Sequence, residues 1–151
     1  MNDRNRPTAT AVIAILVQYL LTLVHHLYGG LVFGTPERLV IAAVVTAILV
    51  VTLGLLYLYR RTGSATALVF SLSLIVLFWV VLLGGYEGGY NHVYQTVRFL
   101  AGVDVPNYPR DAFFQVTGIL TFVAAYFPAR AAWCLAADRW ASPASPAIRG
   151  G

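Results

Sequence analysis

Three imidazoles and one carboxylate carry the chemistry that this sequence offers. His25 and His26 stand side by side toward the end of the first long apolar stretch, and Glu87 and His92 follow the end of the third. The chain has no further histidine. Imidazole and carboxylate donors in this combination suit zinc, copper or non-heme iron. Adjacent residues on a helix diverge by about 100°. One of His25 and His26 is therefore expected to ligate, with the other behind it. Heme is a lesser alternative, with His25 and His92 as axial ligands from two helices if the chain after Glu87 stays helical. The glycine pairs Gly84-Gly85 and Gly88-Gly89 argue against a straight continuation there, and no C-x-x-C-H run offers covalent attachment. The competing reading is a plain hydrogen-bonded network. In it His25 pairs with Gln18 or Thr22, and Glu87 pairs with a charged histidine or Arg98.

Other chemistries find little support. Cys134 is the single cysteine, which excludes an internal disulfide, an all-cysteine zinc site and a dithiol motif. It reads as a small buried or interfacial side chain. The serines lie in apolar stretches with no base nearby, so no Ser-His-acid arrangement is visible. The ten basic residues are all arginine, and they form no basic stripe interleaved with aromatics, so no nucleic-acid partner is expected.

The elements that must position these residues belong to a membrane protein. The chain of 151 residues is 59% hydrophobic and only 11% charged, where a soluble domain carries roughly 25% charged residues. Four segments, at about 10–32, 39–59, 65–85 and 112–127, approach the ~20 apolar residues that span a bilayer. The predicted fold is an all-α integral membrane four-helix bundle forming one domain over residues 1–140. The tail 141–151, rich in Ala, Ser, Pro and Gly, reads as disordered. Thr35 before Pro36, Ser64 and Asp111 are expected to open the second, third and fourth helices. Arg60 and Arg61, followed by Gly63, are expected to close the second. The first segment reads as a retained anchor rather than a cleaved leader, because its apolar run is too long for a leader.

Arginine placement predicts the orientation. Arg4, Arg6, Arg60, Arg61, Arg130, Arg139 and Arg149 fall on one side and Arg38, Arg98 and Arg110 on the other. The excess puts both termini in the cytoplasm of a cell-membrane protein. The histidines and Glu87 then share the outer side. Residues 88–103 repeat apolar side chains at helical spacing and predict a separate amphipathic helix on the outer surface. Pro128 is expected to start or kink a second surface helix.

A polar stripe on the first crossing runs through Gln18, Thr22, His25 and Gly29, which fall within roughly 60° of one another. Polar side chains in a bilayer face the bundle interior, so this face is expected to be buried. Gln115 lies one turn inside the outer end of the fourth crossing and can join the cluster, as can Asn91 beside His92. Ala43, Ala47 and Gly54 on the second crossing, and Gly118, Ala125 and Ala129 on the fourth, are expected to give close helix approach.

These features predict a small multi-pass membrane protein, in contact with the lipid bilayer, that acts as a non-catalytic component of a membrane complex. Its expected partners are other membrane subunits or further copies of itself. The alternatives are an outward-facing metal- or heme-binding protein, and a small oligomeric channel or transporter. No acidic residue falls at mid-membrane, which weakens the transporter reading.

Overall fold

The computed structural model describes residues 5–141, and they are helical almost throughout. Four helical spans are long and apolar enough to cross a membrane. We number the helices α1 (Asn5–Val32), α2 (Pro36–Thr62), α3 (Ala65–Leu100), and α4 (Ala112–Ala124) with its continuation α5 (Tyr126–Ala141). The tail expected to be disordered lies beyond the described residues, apart from the backbone of Ala141, as do Arg4 and Arg149.

The helix ends follow local chemistry. Ser64 accepts a hydrogen bond from the Ala67 amide at 3.3 Å, and Asp111 Oδ1 accepts one from Phe114 at 2.8 Å. Each satisfies a first-turn amide that no helical carbonyl can reach. Thr35 sits at the start of α2 without capping it; its hydroxyl instead donates to the Gly29 carbonyl of α1 at 3.1 Å. Gly63 ends α2 at φ 68°, a left-handed conformation that side chains other than glycine's resist.

Helix α1 is central, packing against α2, α3, α4 and α5. Its buried face carries Ala11, Ala14, Ile15, Gln18, Thr22, His25 and His26, so the polar stripe does point inward. The face of α2 that meets it is Ala42, Val45, Leu49, Thr52, Leu56 and Tyr59. Those positions alternate by three and four, the spacing of a left-handed helix pair. Ala43, Ala47 and Gly54, expected to give close helix approach, face outward instead. Small size alone did not mark the contact, because the larger neighbouring side chains hold the three-and-four rhythm.

Helix α3 departs most from expectation. No break occurs at the glycine pairs, and no separate helix begins at Gly88: the chain stays helical from Ala65 to Leu100. From Leu74 to Tyr94 its turns widen to the π type, in which each amide bonds five residues back rather than four. Its buried positions Ile75, Trp79, Leu83, Gly84, Gly88 and His92 run in steps of four, with Leu83 and Gly84 adjacent. The glycines serve packing rather than turning. A β-carbon at Gly84 would overlap Ala125, and one at Gly88 would come within 2.5 Å of the Phe122 backbone nitrogen. Their absence lets the backbones of α3 and the fourth crossing touch, as small residues do in membrane bundles.

Pro128 does stand in the first turn of a new helix after an interruption at Ala125, but that helix is not confined to the surface. The proline interrupts the backbone bonding near Ala125, since it offers no amide hydrogen. The chain then continues as α5, packed on α1. Ala131, Ala132 and Leu135 are buried together with Ala11, Ala14 and Ile15. Cys134 faces outward from this helix as an exposed thiol.

Mid-bundle, a polar chain ties three helices. Gln18 Nε2 donates to the Trp79 carbonyl at 2.9 Å, Trp79 Nε1 donates to Thr52 Oγ1 at 3.2 Å, and Thr52 donates back to the Ile48 carbonyl. Gln18 thus serves this chain, not the histidines.

Candidate metal centre

The four residues singled out by type converge at one end of the bundle. His25 Nε2 lies 3.5 Å from Glu87 Oε1, His92 Nε2 3.7 Å and His26 Nε2 4.0 Å from the same oxygen. Three imidazoles on two helices thus face a single carboxylate oxygen. The donor atoms of His25, Glu87 and His92 all lie within 4.8 Å of one another, and His26 falls outside that triad. All three histidines are buried, and Glu87 is 18% exposed.

The far sides of two rings are anchored. The Thr117 hydroxyl directs its single proton at the Phe113 carbonyl (2.9 Å) and the Phe114 carbonyl (3.1 Å). Its oxygen is left to accept from His25 Nδ1 at 3.1 Å. Gln115 Nε2 donates to the Pro109 carbonyl at 2.8 Å, which orients the amide and turns Oε1 to His92 Nδ1 at 2.9 Å. In a neutral ring this places the hydrogen on Nδ1 and leaves the Nε2 lone pair toward the Glu87 oxygen, whereas a ring protonated on both nitrogens meets Glu87 as an ion pair. A lone pair facing a carboxylate is relieved by a metal cation between them or by a proton on Nε2. The three separations also exceed the 2.7–3.2 Å of ordinary N–H···O bonds.

Packing holds the rings in place. Phe114 stacks on His25 with centroids 4.2 Å apart, and the Arg38 guanidinium lies over the same Phe114 ring, 4.4 Å from its centroid. His92 sits over Gly118, where a β-carbon would overlap its ring. On the solvent side Asn91 donates to Glu87 Oε2 at 2.7 Å, leaving Oε1 for the histidines. The rings of His25 and His92 meet edge to face at 4.5 Å between centroids. That contact leaves no gap for a porphyrin plane between them.

Several sequence expectations are refined. Gln115 joins the site through His92 rather than His25, and Asn91 joins through Glu87. Thr22 is buried with its hydroxyl unpartnered, and neither Gln18 nor Thr22 bonds His25. Arg98 bonds Gln95 on its own helix rather than Glu87. Thr117, Phe114 and Arg38 were not singled out from the sequence. A threonine in an apolar helix gives no signal of its own, and Arg38 reads there as an ordinary helix-start residue. No family model, curated protein or solved structure matches this chain.

Proposed function

We propose that this small membrane protein binds one transition-metal ion at the outer end of its bundle, with His25, Glu87 and His92 as ligands. The single observation that carries the reading is the pair of Nε2 atoms gathered on one carboxylate oxygen, each ring held by a hydrogen-bond partner at its opposite nitrogen. This is the arrangement by which proteins set the tautomer and direction of ligating histidines. The spacing fits as well. Donors 2.0–2.1 Å from a tetrahedral ion stand roughly 3.4 Å apart; the two histidine–Glu87 separations are 3.5 Å and 3.7 Å, and all three donors lie within 4.8 Å of one another. Nitrogen and oxygen donors without sulfur suit zinc, copper or iron. Three protein ligands leave a coordination position open, as in catalytic and transport sites rather than structural ones.

The orientation follows the arginine distribution, with both termini in the cytoplasm and the site on the outer side. The part of α3 beyond Gly88 then lies at the outer interface, with the exposed Tyr90, Tyr94, Val97 and Leu100 toward lipid.

A second reading keeps the protein as a component of a larger membrane complex without an ion of its own. The broad exposed apolar flanks favour it, since they can receive other helices as well as lipid.

The test is elemental analysis of the protein purified in mild detergent and reconstituted with zinc, copper or ferrous iron. His25→Ala, Glu87→Gln and His92→Ala variants are measured alongside. About one ion per chain in the original and less than a tenth of that in the variants is the expected result. No retained ion, or equal retention in all variants, rejects the metal reading and leaves the complex-component reading.

A further inference from the structure

Two cavities meet at this site. One, of about 380 Å³, opens at the end of the bundle and is bordered by polar groups including Glu37, Arg38, Asn91 and Gln115. The other, of about 280 Å³, opens on the apolar flank between α2 and α3, with walls that include Val40, Val44, Phe78, Leu82 and Tyr86. His26, Ile41 and Glu87 border both. The flank groove lies where α2, packed on α1 and on the start of α3, meets the wide-turned stretch only through contacts such as the Trp79–Thr52 hydrogen bond.

His26 stands where the two cavities adjoin, and its condition is unusual. Its side chain is 2% exposed, and neither ring nitrogen has a hydrogen-bond partner. A buried polar group without a partner carries its full desolvation cost. His26 does not belong to the His25–Glu87–His92 triad, so ligation does not relieve it. A ligand that brings a hydroxyl to His26 does. Of the two openings onto that ring, the flank groove is the apolar one and faces the membrane side, so a molecule that fills it comes from the lipid phase. The aromatic side chains of Phe78 and Tyr86 beside the aliphatic walls suit a flat ring.

We propose that the flank groove admits a membrane-dissolved quinol, a hydroxylated ring on an apolar tail, whose hydroxyl hydrogen-bonds His26. The ring oxygen then lies beside the metal triad, and in this respect the proposal rests on the metal reading above. The polar cavity on the opposite side of His26 and Glu87 gives the same head group contact with water.

The experiment measures binding of a decyl-substituted hydroquinone to the full chain in lipid nanodiscs, with decylbenzene as the control that lacks hydroxyls. Metal content is measured on the same samples. Saturable binding of the hydroquinone near one per chain is expected, with none for decylbenzene. Val44→Trp, which fills the groove from its outer wall, is expected to weaken binding at least tenfold with metal content unchanged. His26→Ala is expected to weaken it as much. If Val44→Trp does not assemble, Leu82→Trp fills the groove from the opposite wall. Equal partitioning of hydroquinone and decylbenzene, or unchanged binding when the groove is filled, overturns the proposal. Groove-dependent hydroquinone binding to a protein that holds no metal supports the quinol site and rejects the metal reading. Metal without saturable hydroquinone binding rejects the quinol site alone.

Discussion

Glu87 and His92 are five residues apart on one helix, yet Glu87 Oε1 and His92 Nε2 lie 3.7 Å apart. On a regular α-helix, residues five apart diverge by about 140°. Here the turns from Leu74 to Tyr94 are of the wider π type, which brings such residues over one another. The wide stretch is thus what lets one helix present a carboxylate and an imidazole to His25. Moving the imidazole by one position tests this. The double variant Asn91→His/His92→Asn is expected to bind metal at least tenfold more weakly than the original chain, by the size of effect that displaced site groups show. Equal affinity in a metal-competition titration would mean that the turn width does not set the site.

Thr117 and Gln115 hold the ligands without touching the proposed ion. Replacing such supporting partners typically lowers metal affinity 10–100-fold. Thr117→Val and Gln115→Leu are each expected to do so while the helices remain intact. The two readouts are a chelator competition for affinity and circular dichroism for helix content. Unchanged affinity in both variants would remove the argument that these bonds orient the lone pairs.

Gly118 gives His92 its place. A β-carbon there overlaps the imidazole, and overpacking a filled interior costs about 1–3 kcal/mol. Gly118→Ala is expected to destabilise the bundle by that amount in reversible detergent unfolding and to displace His92, so that metal is lost as well. Gly54→Ala is the control. Nothing lies within 4 Å of a β-carbon at Gly54, and this exchange is expected to leave stability unchanged or slightly raised.

Gln18 belongs to the chain through Trp79 and Thr52, not to the metal triad. Hydrogen bonds between membrane helices average about 0.6 kcal/mol. Gln18→Leu is expected to cost roughly that much stability and to leave metal content unchanged. Loss of metal in this variant would show that the mid-bundle chain and the histidine site are coupled.

The orientation is open to direct labelling. In a Cys134→Ser background, Asn107→Cys lies in the loop that joins α3 to α4, and Thr62→Cys at the exposed end of α2 beside its tight connection to α3. A membrane-impermeant maleimide added to intact cells is expected to label the first and not the second. The reverse pattern would place the site in the cytoplasm.

How much of this was legible in the residues varies by level. Long apolar runs with charges only at their ends determine by themselves four helices long and apolar enough to cross a bilayer. The bounding signals at Ser64, Asp111 and Gly63 are equally local: each supplies or permits a bond within its own turn. The types His25, His26, Glu87 and His92 were likewise readable as a donor set, since polar groups are rare in such a chain. What tertiary structure decided was everything that depends on turn width and on partners from other helices. The glycines at 84, 85, 88 and 89 look in sequence like breaks in a helix, but against Phe122 and Ala125 they are contact points, and a packing neighbour cannot be read from the glycine itself. The choice of His25 over His26 for the triad came from Thr117, 92 residues away in the chain. No periodicity within α1 carries that information, because the neighbour that orients a ring is set by how helices assemble, not by the helix on which the ring stands.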